Sequence, residues 1–204
     1  MVGFAMKHTP ILLLTLVAAS ASAAAGVGSG LNYNRLGVGY ESDDALKSLV
    51  ISGEAKLGEY LLVGGSYSDV DGKGLLDGTS GNIARFSLGA VFNAGPGDVI
   101  LRASYGQGHL TDGVDIAVAD ERSFGVSYRA ELGAGFEGEV GYARVRTRIP
   151  FVLGGLQLFT SNDDVFSTSV RYNVSKNFDV KLSYAFQSDD VGGNKFGLSA
   201  GYSF

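Results

Sequence analysis

Apolar residues occupy every second position along most of this chain. Near the C-terminus, one run carries Phe178, Val180, Leu182, Tyr184 and Phe186, and the alternation resumes from Phe196 to Phe204 after a polar stretch. A period of two is that of a β-strand, whose side chains point alternately to opposite faces. The same pattern recurs in eight earlier segments, so the sequence predicts ten strands. The earlier segments are 36–40, 49–57, 61–67, 84–92, 99–105, 124–132, 136–142 and 166–174.

The connections between these segments alternate between short and long. Short turns are predicted at 58–59, 93–98, 133–135 and 175–177, and longer links at 41–45, 70–82, 110–120, 146–164 and 188–194. Strands of about 9–11 residues, joined by short turns on one side and long loops on the other, are typical of outer-membrane barrels. We therefore expect an all-β fold, a transmembrane antiparallel up-and-down β-barrel with both termini on the side of the short turns.

The first predicted strand is the least regular one. Leu31 and Tyr33 alternate out of phase with Leu36, Val38 and Tyr40. This change of phase requires either a bulge or a strand that starts late. The irregularity leaves a barrel of eight strands as the alternative to ten.

The C-terminal part of the chain carries a family resemblance. The segment Tyr172, Asn173, Val174, Ser175, Lys176, followed by two alternating strands and a terminal Phe, resembles the closing hairpin of bacterial outer-membrane porins. The chain is too short for their roughly 16 strands, and as a whole it is more similar to the small OmpA-type barrels. The resemblance implies that the barrel-insertion machinery recognises the aromatic last strand. The residues of this insertion signal are Phe196, Leu198, Tyr202 and Phe204.

Residues 1–23 are predicted to be a cleaved secretory signal peptide, which leaves residues 24–204 as one outer-membrane β-barrel domain. Lys7 supplies a positive charge, residues 11–19 form an apolar stretch, and Ala21, Ser22 and Ala23 form a small-residue cleavage site. No other apolar run approaches the roughly 18 residues that a spanning helix needs. The expected location is therefore the bacterial outer membrane.

Composition limits the chemistry that the chain can perform. It has no cysteine, which excludes a disulfide, a thiolate metal site and a thiol nucleophile. Without Lys7, fifteen Lys and Arg residues face 21 Asp and Glu residues, a formal charge of −6 that argues against nucleic acid as a partner. The stretch 69–74 is similar to a calcium loop only in part, because Lys73 stands at a ligand position. We predict no metal site and no cofactor.

The face opposite the apolar one carries small polar residues and charges. Ser and Gly dominate it, as expected where side chains must fit inside a narrow barrel. Eleven ionisable residues on this face are predicted to line the lumen: Glu54, Lys56, Arg85, Arg102, Arg129, Glu131, Glu137, Glu139, Arg171, Asp179 and Lys181. Because an unpaired buried charge is costly, we expect these residues to pair across the interior. The interior is then either a salt-bridged plug, which a narrow barrel favours, or a narrow charged path for small solutes.

Three arginines follow the apolar belt of the seventh strand. Arg144, Arg146 and Arg148 continue the outward phase of Val140 and Tyr142. If the register persists, they can contact lipopolysaccharide phosphates through bidentate hydrogen bonds; if it is lost, they are solvated loop residues. The next segment, 149–159, is unusually apolar for a loop. It extends the strands, folds into the mouth of the barrel or offers a surface to a partner.

Candidate catalytic residues are scarce. His109 is the one histidine after the predicted signal peptide, and Thr111, Asp112 and Asp115 lie nearby. A general base beside a hydroxyl can be imagined there, but no serine nucleophile or second histidine supports it. We assign no catalytic residue and predict that the protein is not an enzyme.

The sequence thus predicts a porin-like or structural outer-membrane barrel, which passes small solutes if its charged lumen is open. Its expected partners are outer-membrane lipid, lipopolysaccharide and the barrel-insertion machinery. The first alternative is a surface interaction or adhesion protein that acts through its extracellular loops. The second is a lipid A-modifying enzyme centred on His109.

Overall fold

The computed structural model describes residues 30–74, 77–111, 115–152, 156–188 and 193–204. Within these ranges the chain forms ten antiparallel strands: β1 Arg35–Ser42, β2 Leu46–Leu57, β3 Leu61–Gly72, β4 Ser80–Ala94, β5 Gly97–Thr111, β6 Asp115–Gly133, β7 Phe136–Val152, β8 Leu156–Asn173, β9 Phe178–Gln187 and β10 Lys195–Ser203. The predicted signal peptide, 1–23, lies outside the described residues. In the described part of the chain, no helix is long and apolar enough to span a membrane.

The strands follow one another around a closed barrel, with β1 next to β10. Val38 of β1 pairs with Ile51 of β2 on one side and with Ala200 of β10 on the other. The closed order leaves no edge strand, so the backbone hydrogen bonds of the sheet are satisfied within it. The predicted up-and-down barrel of ten strands is confirmed. The alternative of eight strands is wrong, because β1 is a full member of the sheet.

The irregular start of the first strand has a simple explanation. β1 begins at Arg35, so the out-of-phase residues Leu31 and Tyr33 precede the sheet. The strand starts late, and no bulge is needed. Tyr33 is only 3% exposed, because the segment before β1 turns into the barrel.

The two ends of the barrel differ. We call the end where β1 begins and β10 ends the turn end, and the opposite end the loop end. At the turn end, β4 and β5 are separated by two residues, and so are β6 and β7. Gly133 and Gly135 have φ values of 89° and 80° in the second of these turns, a conformation that glycine adopts without strain. The predicted short turns are therefore all on one side.

The strands on one side of the barrel extend further at the loop end. β6, β7 and β8 contain 19, 17 and 18 residues, whereas β1 and β10 contain 8 and 9. The predicted long loops at 110–120 and 146–164 are therefore wrong in extent, and for 149–159 the alternative that the seventh and eighth strands extend is correct. The hydropathy pattern did not predict this extension, because arginines replace apolar residues on the outer face of β7. The backbone hydrogen bonds between β7 and β8 continue nonetheless, since they do not depend on the side chains.

The outer surface of the barrel is an apolar belt. The large hydrophobic side chains on it are 37–64% exposed, among them Leu49, Leu182 and Leu198. A sheet that folds in water buries such residues, so a continuous exposed belt indicates a surface that meets an apolar medium. At the turn end, aromatic side chains border the belt in pairs, with ring centroids 4.7–6.2 Å apart: Tyr60 and Phe92, Phe136 and Tyr172, Phe178 and Tyr202. This is the arrangement of an interfacial aromatic girdle.

Candidate functional site

An apolar cluster fills the lumen at the turn end. Tyr33, Leu62, Val91 and Ile100 are each at most 3% exposed and pack together, and Leu31 packs against them. The three strand residues stand on the otherwise polar inner face, and Tyr33 enters from the segment before β1. We call these five residues the turn-end plug. The plug packs against the inner faces of β3, β4 and β5, which carry Leu62, Val91 and Ile100.

Polar contacts hold Tyr33 in this position. Its hydroxyl donates a hydrogen bond of 2.8 Å to Asp98 Oδ2. The Arg129 guanidinium lies 4.8 Å and the Lys56 ammonium 5.6 Å from the centre of its ring, both within the range of cation–π attraction. Arg129 Nη2 also donates to the carbonyl of Asn32 at 3.1 Å, which fixes the segment before β1. Burial and the bond to Asp98 raise the pKa of the Tyr33 phenol, so the phenol keeps its proton.

A buried charge cluster lies directly beside the plug. Arg35 donates to both oxygens of Asp179 at 2.8–3.1 Å, and Arg129 donates to Glu137 Oε2 at 2.5 and 3.0 Å. Arg171 lies between these pairs. Its Nη1 is 3.6 Å from Glu137 Oε2 and its Nε is 3.8 Å from Asp179 Oδ1. Each carboxylate thus serves a close arginine and a more distant one.

Glycines provide the space that this cluster needs. Gly37 of β1 faces Gly201 of β10, and the Arg35 side chain crosses both. A Cβ at Gly37 would lie 2.6 Å from Arg35 Nη1, and one at Gly201 would overlap the guanidinium. In this part of the barrel, glycine on the inner face is therefore a packing requirement set by the Arg35–Asp179 pair.

Further ion pairs cross the lumen above this cluster. Their N–O distances range from 2.5 to 3.9 Å: Arg102 and Glu54, Arg85 and Glu121, Lys181 and Glu139, Lys195 and Glu41. The pairs join side chains from different strands and fill much of the interior. This is the physical arrangement that a narrow barrel with a charged inner face requires, because desolvated charges must be neutralised.

The predicted lumen residues occupy two kinds of position. Ten of the eleven lie in the interior, nine of them in ion pairs and Lys56 against the Tyr33 ring. Glu131 differs, since it is exposed next to the turn between β6 and β7.

Several interior residues are not among the predicted lumen charges. Arg35 and Lys195 share the inner phase of their strands, so alternation alone could have identified them. Glu41 and Asp98 fall in predicted connections that the structure shows to be strand, and Glu121 falls between the predicted link 110–120 and the predicted strand 124–132. Tyr33 carried no usable signal, because it lies outside any strand.

The loop end carries a row of exposed arginines on the outer face of β7. Arg144, Arg146 and Arg148, which we call the arginine ridge, keep the outward phase of Val140 because the strand continues past them. Arg122 of β6 lies opposite Arg146 in the register and is also exposed. The ridge and Arg122 lie just beyond the apolar belt, with Asp120 opposite Arg148 and Asp164 opposite Arg144 in the register. The alternative that these arginines belong to a loop without register is wrong.

Aromatic residues separate the ridge from the belt. The rings of Tyr142 and Phe166 lie 5.2 Å apart, and the Tyr142 hydroxyl donates to Asp164 at 2.7 Å. On the neighbouring strands, the Tyr105 hydroxyl donates to Asp120 at 3.0 Å. The tyrosines thus turn their hydroxyls towards the polar side of the boundary, as interfacial tyrosines do.

His109 lies on the outer face of β5 near the loop end, opposite Asn82 of β4 and Val118 of β6. It shares that face with Thr111, whereas Asp112 lies outside the described residues and the side chain of Asp115 is not described. Among the described residues, no group of three or more His, Asp or Glu side chains is arranged to hold a metal ion. The residues of the predicted insertion signal, Phe196, Leu198, Tyr202 and Phe204, are 37–49% exposed on the outer face.

Comparisons with known proteins identify the fold but no close relative. No protein-family model matches the chain, and no curated protein matches its sequence. An outer-membrane channel from Pseudomonas putida F1 is 10% identical and superposes with a TM-score of 0.55 over 85% of this chain and 96% of that one.

Two other similar structures superpose with lower TM-scores. The N-terminal β-barrel domain of Pseudomonas aeruginosa OprF is 15% identical, with a TM-score of 0.44 over 85% of this chain and all of that one. A loop-deletion mutant of OmpT, an outer-membrane protein of Vibrio cholerae, is 14% identical, with a TM-score of 0.39 over 83% of this chain and 62% of that one. The chain thus spans less than two thirds of that protein. With its closed ten-stranded order, the chain has the fold of bacterial outer-membrane β-barrel proteins.

Proposed function

We propose that the protein is an outer-membrane barrel whose lumen is closed at its periplasmic, turn end, so that it serves as a structural barrel rather than an open pore. The turn-end plug is the observation that carries this proposal. Tyr33, Leu62, Val91 and Ile100 bury their side chains together at that end, and the Arg35 and Arg129 ion pairs lie directly beside them. The apolar belt and the predicted signal peptide support the location.

Single-channel recording in planar bilayers tests the closed lumen. The refolded wild-type protein is expected to insert without stable conductance steps. A Tyr33→Ala, Leu62→Ala double variant removes most of the plug and should show an ion leak. Tyr60→Ala is the matched control, because Tyr60 is a 57% exposed tyrosine on the outside of the turn end. Stable steps from the wild type would contradict the closed lumen and support a porin-like function.

A second candidate function, contact with lipopolysaccharide, is favoured by the arginine ridge. The ridge faces outward beyond the aromatic boundary, where lipid phosphates lie in an outer leaflet. Guanidinium groups bind phosphate oxygens in a bidentate manner, and three in alternate positions of one strand span about 13 Å at 3.3 Å per residue. The ridge thus gives the barrel a surface that contacts lipopolysaccharide phosphates, even if no solute crosses the lumen.

Reconstitution tests this contact. Vesicles with and without lipopolysaccharide are compared by the thermal unfolding midpoint of the barrel. The lipid should raise the midpoint of the wild type, and a triple Arg→Gln variant of the ridge should lose most of that gain. A triple Arg→Lys variant keeps the charge without the bidentate geometry and should lie between them. An equal gain in all three proteins would exclude the ridge as the contact.

An enzymatic role at His109 has less support. His109 faces away from the lumen, and Asp112, one of the residues near it in sequence, lies outside the described residues. The proposal therefore assigns no catalytic residue. Loss of a lipid A-modifying activity in His109→Ala would be required to revive the idea.

A further inference from the structure

A cavity of about 340 Å³ remains in the lumen directly above the turn-end plug. Its floor includes Ile100 of the plug and Arg129, and its walls include Arg35, Arg102, Arg171 and Lys181. Cations thus outnumber the carboxylates that line it, since Glu54 and Glu139 are the acidic residues of the lining. The cavity is large enough for a small solute and unsuitable for an apolar one.

Arg171 lines this cavity and makes no hydrogen bond with the residues that the structure describes. Its side chain is 11% exposed, and within the described ranges its buried Nε is left without a hydrogen-bond acceptor. Its nearest carboxylate contacts, 3.6 Å to Glu137 and 3.8 Å to Asp179, exceed hydrogen-bonding distance. Both carboxylates are already held more closely by Arg129 and Arg35, at 2.5 and 2.8 Å. Arg171 is therefore attracted to the cluster without a partner of its own.

The side chains around Arg171 carry a local excess of positive charge. In the register, Arg171 stands directly opposite Lys181 of β9, and like charges in that position repel each other. Lys181 is 3.9 Å from Glu139, whose other oxygen accepts a hydrogen bond from Ser127. The Asn173 amide and Arg129 already occupy both oxygens of Glu137. Four cations thus share three carboxylates: Arg35, Arg129, Arg171 and Lys181 with Glu137, Glu139 and Asp179.

We propose that this cavity is a binding site for a small oxyanion, a carboxylate or phosphate group, held by Arg171 and Lys181. A guanidinium presents parallel N–H donors that match two oxygens of such a group, and a buried cation that makes no hydrogen bond to a carboxylate gains most from one. Because the plug closes the turn end, the ligand enters from the loop end. This direction rests on the proposed function, whereas the site itself does not.

Titration with inorganic phosphate tests the site on the full-length mature protein refolded in zwitterionic detergent micelles. Calorimetry should show saturable binding, and acetate should compete if the site accepts carboxylates. Arg171→Gln should raise the dissociation constant for phosphate by about tenfold or more, the value of hydrogen bonds to a charged group. Lys195→Gln is the matched control, because Lys195 is a lumen cation paired with Glu41 and lies outside the cavity lining.

Each outcome decides the question. Absence of saturable phosphate binding to the wild type, or equal binding by Arg171→Gln, overturns the site. Should Arg171→Gln fail to fold, Lys181→Gln carries the same expectation. Phosphate binding by a protein that also conducts would overturn the closed lumen and leave the site intact. A barrel that neither conducts ions nor binds phosphate would overturn the site and leave the closed lumen intact.

Discussion

Substitution of Leu182 by Arg tests which face of the barrel meets lipid. Leu182 is the fifth of the ten residues of β9 and is 48% exposed on the outer face. Its register partners, Val170 of β8 and Leu198 of β10, are also exposed, so the position lies within the apolar belt. Because both register partners are apolar, an arginine introduced here has no carboxylate beside it on the outer face. Its charge must meet the surrounding medium.

The expected cost follows from this position. An arginine that faces lipid near the middle of a bilayer destabilises a barrel by about 2–4 kcal/mol, and the cost falls towards the interfaces. At about 1.4 kcal/mol per factor of ten, the folded fraction relative to the unfolded one should fall roughly 25-fold to 700-fold. In water the same exposed position would tolerate arginine with a change of about 0.5 kcal/mol or less.

Urea titration of the refolded protein in phospholipid vesicles measures this difference. Leu182→Ala is the first control, because it removes the side chain without adding charge. Ser183→Arg is the second, since Ser183 is the next residue and faces the lumen, where its hydroxyl donates to the Gly197 carbonyl. We expect Leu182→Arg to be the most destabilised of the three. Refolding of Leu182→Arg as efficient and as stable as that of the wild type would refute the assignment of the faces.

Three further predictions concern single contacts. Tyr33→Phe removes the hydrogen bond to Asp98 and should lower the unfolding free energy by about 1–3 kcal/mol in urea, whereas Tyr60→Phe, at an exposed tyrosine, should not; equal effects would contradict the buried contact. Gly201→Ala places a Cβ against the Arg35 guanidinium and should cost about 1–3 kcal/mol in the same assay, and wild-type stability would show that Arg35 can move aside. Deletion of Phe204 should reduce the amount of protein in the outer-membrane fraction of expressing cells, and an unchanged amount would argue against the insertion signal.

Hydropathy alone could predict most of this fold. Alternation marks the two faces of a strand, and in β9 and β10 it is uninterrupted, so both strands were predicted with nearly their observed bounds. Alternation did not predict the strand where its two faces no longer differ in polarity. The outer residues of β7 at 144, 146 and 148 are arginines, so the alternation of apolar and polar positions ends at Tyr142 although the strand continues to Val152. Strand bounds set by backbone pairing cannot be read from hydropathy in such a stretch.

The alternation predicts which charged residues face the lumen, but it does not predict which of them pair with each other. The parity of Arg102 and Glu54 places both in the lumen, yet their pairing depends on how strands β2 and β5 face each other across the closed barrel. That distance is set by strand number and tilt, which no local pattern contains. The plug was even harder to predict from the sequence, because Tyr33 belongs to no strand. The strand residues that it contacts are apolar residues on an otherwise polar face.

The position of the plug decides how charge substitutions in the lumen should be interpreted. Arg85 pairs with Glu121 and lines the cavity above the plug, whereas the buried apolar side chains lie at the turn end, around Tyr33. Transport through a series of constrictions is limited by the narrowest one, so removal of Arg85 alone should not produce conductance. Arg129 differs, because it contacts both the Tyr33 ring and Glu137 and thus belongs to the plug and to the charge cluster. A change at Arg129 would loosen the apolar closure and leave the Glu137 carboxylate short of a partner. If the proposed closed lumen is correct, conductance depends on the turn end, on residues such as Arg129 that the charge pattern alone does not distinguish from the other lumen charges.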